Sequence, residues 1–203
     1  MRVRRLAMLL SELEQTQSQL VELEQYSTDG DLAARWLTDI SNFGDLHEGC
    51  TVADLGSGNG VLGLGAMALG AGRTVLIDSD QNACHTAQSN AEKMGFSDSV
   101  EVIHATIGTD SIQLDSPDVV ISNPPWGRQS PKADRPFLDA ILSTRASSHL
   151  MHSAEASHIE PLFEEHGWFV ERYGEADFPL PAAYSHHSRQ RGKTRAAFWR
   201  LNP

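Results

Sequence analysis

Asn123-Pro124-Pro125-Trp126 is the stretch of this chain whose residue types could do chemistry. Two consecutive prolines fix the backbone of a short loop. The asparagine before them then presents its amide oxygen in a set direction, and Pro124 adds a carbonyl. Two such acceptors can take both hydrogens of an exocyclic –NH₂ group. Held that way, the nitrogen is drawn out of planarity and its lone pair is aimed at an electrophile. No general base is needed before attack, because the surplus proton can leave the product afterwards. The rate gain would come from positioning and oriented dipoles. Trp126 offers a flat face on which a planar base can stack.

The electrophile would have to sit nearby, and a second motif supplies a place for it. Asp54-Leu55-Gly56-Ser57-Gly58-Asn59-Gly60 follows an apolar run and precedes another. Its glycines read G-x-G-x-G. The dinucleotide fingerprint would need a glycine where Val61 stands, and the P-loop would need Lys-Ser/Thr, which is absent. Glycines at Gly56, Gly58 and Gly60 let a backbone turn tightly and approach a ligand closely. Asp54, an acid just before the loop, suits a ligand with a positive centre better than a pyrophosphate. S-adenosylmethionine, with cationic amino and sulfonium groups, fits. Asp78 lies 22 residues after Gly56, where a carboxylate can accept from ribose hydroxyls.

Elements that would position these motifs alternate along the chain. Val3, Leu6, Ala7, Leu9, Leu10 and Leu13 recur at helical spacing. Thr28-Asp29-Gly30-Asp31 reads as a helix start, with Ala33, Ala34, Trp36, Leu37 and Ile40 as its apolar face. The spacing then predicts strands at 51–55, 74–78, 100–104 and 118–122, with helices over 61–69 and from Asp80 to Met94. Further on it predicts a helix over 136–142, a strand over 147–151 and a helix over 155–165. Late strands at 168–176 and 196–201 flank Phe178-Pro179-Leu180-Pro181, which cannot continue a central strand. Strand–helix alternation implies an α/β fold with a doubly wound, mainly parallel sheet, whose ligands bind at the carboxyl ends of the strands. The organisation reads as N-terminal helices and a cofactor-covering segment over 1–45, then the main domain over 46–203.

Composition narrows the class. Length of 203 residues, 40% hydrophobic and 21% charged, describes a globular chain. No apolar run approaches the roughly 20 residues of a membrane span. Arg2, Arg4 and Arg5 precede an apolar stretch too short for a signal peptide. Cys50 and Cys84 form no paired spacing, so a cytoplasmic protein with reduced thiols is expected. Net charge is −11, yet residues 181–203 carry Arg189, Arg191, Lys193, Arg195 and Arg200 and no carboxylate. A basic tail on an acidic body is a strip that could meet phosphates. His149 and His152 are three apart, and His186 and His187 adjacent, without an evident third ligand. Structural or RNA-facing roles are therefore expected for them, and no metal.

Taken together, Asp54–Gly60 and Asn123–Trp126 resemble a class I S-adenosylmethionine-dependent methyltransferase, Rossmann-like with a seven-stranded sheet. The Asn-Pro-Pro-aromatic signature is similar to that of the subset acting on an amide or exocyclic amine nitrogen. Leu23-Glu24-Gln25-Tyr26-Ser27-Thr28 and Asp31-Leu32-Ala33-Ala34 resemble the archaeal and eukaryotic methyltransferase-like family that N6-methylates one adenine in small-subunit ribosomal RNA. Ala133–Leu138, Ser148-His149 and Leu180–His187 resemble it too, so the likeness runs from about residue 20 to residue 200. The resemblance implies that Gln25, Tyr26 and Thr28 fold over the cofactor. Gly56, Asn59 and Val61 would line it, Asp78 would hold its ribose, and Thr106 and Ile107 would follow the third strand beside it. Asn123–Trp126 would grip a flipped adenine, and His186, His187, Arg189, Arg191 and Lys193 would meet RNA. It further implies a small zinc-binding activator protein that pairs along a sheet edge. The chain departs from the family at Thr106, where an aspartate is usual, at Asn59, where Cys or Thr is commoner, and at Trp126, where Phe is usual. Three other readings stay open from the residues: a protein glutamine N-methyltransferase acting on a translation factor, a DNA adenine methyltransferase, and a non-catalytic cofactor-binding scaffold.

Overall fold

A computed structural model describes residues 1–16, 28–127, 130–179 and 193–203. In chain order the elements are α1 (Val3–Ser11), α2 (Gly30–Asn42), β1 (Thr51–Leu55), α3 (Val61–Leu69), β2 (Arg73–Asp78), α4 (Gln81–Lys93) and β3 (Val100–His104). They continue with β4 (Val119–Ser122), α5 (Arg135–Thr144), β5 (Ser147–Ser153), α6 (Ile159–Glu165), β6 (Phe169–Pro179) and β7 (Lys193–Asn202). One seven-stranded sheet has the order β3-β2-β1-β4-β5-β7-β6. Strands β1 to β5 pair in parallel, while β7 runs antiparallel to both β5 and β6.

The central strands are short apolar runs because both of their faces are covered. Val52, Val119 and Ile121 point into one core with Leu6, Leu10, Trp36, Leu37 and Leu64. Ala53, Leu55 and Val120 point into the other with Leu138, Ile141, Phe163 and Trp199. The N-terminal helices thus share a core with the sheet. Gly63 and Gly65 set how closely α3 packs. A Cβ on Gly63 would lie 2.2 Å from Leu76 Cδ2, and one on Gly65 would lie 2.3 Å from Leu37 Cδ1.

Three details differ from the sequence expectation. Asp29, not Thr28, caps α2: its Oδ1 accepts from Leu32 N–H at 2.8 Å, which leaves the Thr28 hydroxyl for another task. α6 begins at Ile159 rather than near Glu155, because residues 154–158 turn first, with Ala154 N–H on the Arg195 carbonyl. Phe178 and Pro179 do extend β6, pairing with Thr194 and Lys193. β6 ends the sheet, and an edge strand tolerates the missing proline donor.

Candidate functional site

Strand order turns around between β1 and β4, and the two motifs leave the carboxyl ends of those neighbouring strands. Such switch points open a crevice. Here the crevice is a cavity of about 380 Å³.

Its floor is the glycine loop. Gly56, Gly58 and Gly60 all have positive φ, at 77°, 55° and 84°. At Gly56 a side chain would also run into Phe137, 3.0 Å from a built Cβ to Cε1. Gly56, Gly58, Asn59 and Val61 line the cavity. Asp78 lines it from the end of β2. Its Oδ2 accepts from Gly58 N–H at 2.8 Å and its Oδ1 from Asp80 N–H at 2.9 Å. Burial pushes this carboxyl above its usual range, against the pull of those two backbone donors. Thr106 and Ile107, after β3, form a further wall. Thr106 N–H is held by Asp110 Oδ2 at 2.7 Å.

Asp54 behaves differently from the expectation. It is fully buried beneath the loop and does not line the cavity. Its Oδ2 accepts from Gly63 N–H at 2.9 Å, tying the loop to α3. Burial, only partly offset by that N–H and reinforced by the charge of Asp78, pushes its pKa up to about 7. Gly60 likewise lies under the loop, against Leu76, Leu64 and Ala87. Asn59 stays on the wall, but its amide Nδ2 donates to the Glu14 carbonyl at 3.0 Å. Asn90 completes this knot, donating to the Glu14 and Asn59 carbonyls and accepting from Glu14 N–H. The knot brings Gln15 and Thr16 to the cavity mouth, a contribution the sequence pattern did not single out.

Asn123, Pro124 and Pro125 face the same cavity. Trp126 does not: it is 7% exposed, stacked on His152 (centroids 5.9 Å, 23°) and packed on Phe178 (4.9 Å). The flat face expected to be open to a base is covered in this structure. Among the described residues that line the cavity, Phe137 is the aromatic one. It stood out in the sequence only through the family-like Ala133–Leu138 segment.

Behind Trp126, Asp134 Oδ2 is hydrogen-bonded to His158 Nε2 at 2.5 Å and lies 3.2 Å from His152 Nε2. These are three atoms at metal-ligand spacing. However, His152 Nδ1 accepts from Ser153 N–H at 2.8 Å, which puts the ring proton on Nε2. A nitrogen that carries a proton is not a metal ligand, and His152 Nε2, although 3.2 Å from Asp134 Oδ2, makes no aligned hydrogen bond there. Burial raises the Asp134 carboxyl, but the two imidazoles outweigh it and hold the pKa at about 2. His149, on the same strand, is also buried, between Asp45 and Tyr173.

Of the expected RNA contacts, His186, His187, Arg189 and Arg191 lie outside the described residues, as do Gln25 and Tyr26. Lys193 opens β7. Two of the five tail cations are committed elsewhere: Arg195 pairs with Glu175 at 2.8 Å and Arg200 with Asp45 at 2.7 Å. The local charge of +5 therefore overstates what the tail can offer a phosphate.

The methyltransferase geometry is matched by known proteins. Residues 16–124 match the ribosomal protein L11 methyltransferase family (PrmA), and residues 71–195 match the RMKL-like methyltransferase domain. The rRNA N(6)-adenosine-methyltransferase METTL5 of Danio rerio is 30% identical over 207 residues, covering all of both chains. The chain belongs to the METTL5/RMKL-like family of class I methyltransferases. An uncharacterised protein of Methanocaldococcus jannaschii is 33% identical over 196 residues, 91% of this chain and 87% of that one. The crystal structure of a candidate RNA methyltransferase from Pyrococcus horikoshii superposes with a TM-score of 0.88 at 31% identity, over 100% and 98% of the two chains.

This family member is an S-adenosylmethionine-dependent methyltransferase. The cavity suits that cofactor. Asp78 offers carboxylate acceptance for ribose hydroxyls, and Ile77, Ala105 and Ile107 offer apolar wall for a purine. No helix among the described residues is long and apolar enough to cross a membrane.

Proposed function

We propose that this enzyme methylates N6 of an adenine in small-subunit ribosomal RNA. The observation that carries the proposal is that Asn123, Pro124 and Pro125 share one cavity with Gly56 and Asp78. An amine acceptor site and a cofactor site thus face a common space. Relatives named as rRNA N(6)-adenosine-methyltransferases, in Danio rerio and Drosophila melanogaster, support the base and the RNA class. The family model of ribosomal protein L11 methyltransferases matches only residues 16–124, and a curated one from Pectobacterium atrosepticum matches 68% of this chain against 47% of its own length. The Danio rerio relative matches over the full length of both chains, which favours the RNA reading over a protein substrate.

In this reading S-adenosylmethionine supplies an electrophilic methyl group. Asn123 Oδ1 and the Pro124 carbonyl accept the two hydrogens of an extruded adenine's amine. Both oxygens are held by the chain before substrate arrives, so they act without reorganising. Asp78 would hold the cofactor ribose, with Thr28, Gly58, Asn59, Val61, Thr106 and Ile107 around it. Asp54 would act one layer below, fixing the loop through Gly63. Residues 1–45 would cover the cofactor and 46–203 would carry the chemistry, in the cytoplasm. His186, His187, Arg189, Arg191 and Lys193 would contact RNA phosphates. A small zinc-binding activator would pair with a sheet edge, of which β3 and β6 are the two.

The test uses labelled S-adenosylmethionine with purified small-subunit RNA, with and without the activator, followed by nucleoside mass spectrometry. Label in N6-methyladenosine is expected. Label in a protein glutamine instead would overturn the assignment.

A further inference from the structure

The Asn123 amide is gripped at both ends. Trp126 Nε1–H donates to its Oδ1 at 3.0 Å, and its Nδ2 donates to Thr28 Oγ1 at 3.2 Å. These two partners also decide which end of the amide is oxygen, since an indole nitrogen can only donate. An amide oxygen has two lone pairs. Trp126 takes one and leaves the other for a substrate amine.

Trp126 is itself held in place. His152 stacks on it, and Phe178 packs on it. His152 is 2% exposed; Ser153 N–H donates to its Nδ1, and its Nε2 lies 3.2 Å from Asp134 Oδ2 without hydrogen-bond alignment. Swinging Trp126 out to meet a base would undo these contacts and release the Asn123 oxygen as well. Its buried position is therefore useful as it stands.

We propose that Trp126 is a positioning residue: through its indole N–H it presets the Asn123 carbonyl for the incoming amine, with the Asp134–His152 pair as its prop. The role rests on the proposed function for the identity of the amine, but the indole contact does not.

The experiment compares the full chain with Trp126→Phe, which keeps a ring and removes the donor, and with His152→Leu. Three readouts are taken: kcat and KM on small-subunit RNA, S-adenosylmethionine affinity by calorimetry, and the indole N–H resonances by nuclear magnetic resonance. Trp126→Phe is expected to lower kcat about tenfold, equivalent to about 1.4 kcal/mol. KM and cofactor affinity should stay within about twofold, because the loss lies in orienting the amine and not in binding. His152→Leu should lower kcat about threefold. The Trp126 indole proton, assigned by its disappearance in Trp126→Phe, should exchange slowly and move in Asn123→Ala while the other three indole signals stay put.

Full kcat in Trp126→Phe would overturn the proposal. So would a loss confined to KM, which would make Trp126 a stacking surface. If the wild type puts no label into RNA, the functional reading fails by itself. The indole resonance then still decides: a fast-exchanging proton, or one indifferent to Asn123, overturns the contact.

Discussion

β5 carries two buried histidines three residues apart, so their side chains leave opposite faces of the sheet. Each reaches a carboxylate whose pKa is held at about 2 against the effect of burial. On one face, His149 Nε2 meets Asp45 Oδ2 at 2.9 Å, and Asp45 also takes two bonds from Arg200. The other His149 nitrogen meets Tyr173 Oη at 3.0 Å, and Tyr173 accepts from Trp36 Nε1 at 2.7 Å. That relay joins α2 and its following loop to β5, β6 and β7. Burial lowers the His149 pKa although Asp45 pulls the other way. On the other face, His152 and His158 meet Asp134, and His152 leads to Trp126 and then Asn123. The same pair of residue types does two jobs. What separates them is the last group in each chain: a core tryptophan in the first, the amide at the cavity in the second.

Asn123→Ala breaks the comparison most sharply. It leaves both histidine networks in place and removes the group that only the second one serves. A fall in kcat of more than about 100-fold is expected, the scale seen when an oriented polar group at the reacting centre is lost. Cofactor affinity by calorimetry and melting temperature should change little.

Asp45→Ala should give the opposite pattern. It leaves Arg200 and a buried His149 without their shared acceptor. Breaking a buried pair from one side costs about 3 kcal/mol, read by urea denaturation. The folded enzyme should keep its kcat within about twofold. A large loss of kcat at unchanged stability would make the first relay part of the site after all.

The sequence made the positions of these networks legible only in part. Strand and helix order could be read, because β1, β2 and β4 have apolar centres, β1 runs into Gly56 and β4 into Asn123-Pro124, and apolar strand runs alternate with helical segments. The glycine loop and the Asn-Pro-Pro loop could be read because their chemistry is contained within a few adjacent residues. Burial of Trp126 could not, since it depends on His152 and Phe178 arriving from 26 and 52 residues further along the chain. Asp54 looked like a ligand-facing acid because it borders the loop, but strand alternation turns it under α3. Arg195 and Arg200 looked like free tail charge because their partners, Glu175 and Asp45, lie on other segments.

Asp54 sharpens the contrast through its sign. Asp45 and Asp134 sit below the usual carboxylate range, so their contribution to stability is present above about pH 4 and is lost as pH falls toward 2. Asp54, raised to about 7, works the other way. Its folded state holds a proton that the unfolded chain gives up near pH 4, so its contribution is full below that and is lost as pH rises to about 7. Asn at this position keeps an acceptor for Gly63 and cannot ionise. The stability of wild type relative to Asp54→Asn should therefore fall between about pH 4 and 7 and level off above, by urea denaturation across that range. A flat difference would mean that Asp54 ionises in the folded state as readily as in the unfolded one.

His158→Gln should have the smallest effect, and it probes the boundary of the second network. His158 and His152 both point at the same oxygen of Asp134, but the His158 side chain is 51% exposed while that of His152 is 2% exposed. An exposed pairing is screened by water and contributes about 0.5 kcal/mol or less. His152 keeps its place without it, through Ser153, Asp134 and Trp126. So kcat should change by less than about twofold and the melting temperature by a degree or so, in parallel assays with Trp126→Phe. If His158→Gln instead cost as much kcat as Trp126→Phe, the imidazoles would be acting together at one centre. In that case chelator treatment of the wild type should reproduce the loss, and the tautomer inferred from Ser153 would be wrong. Insensitivity to chelator together with a small effect leaves Asp134 as the anchor, His152 as the prop, and His158 as a surface partner that the site can lose.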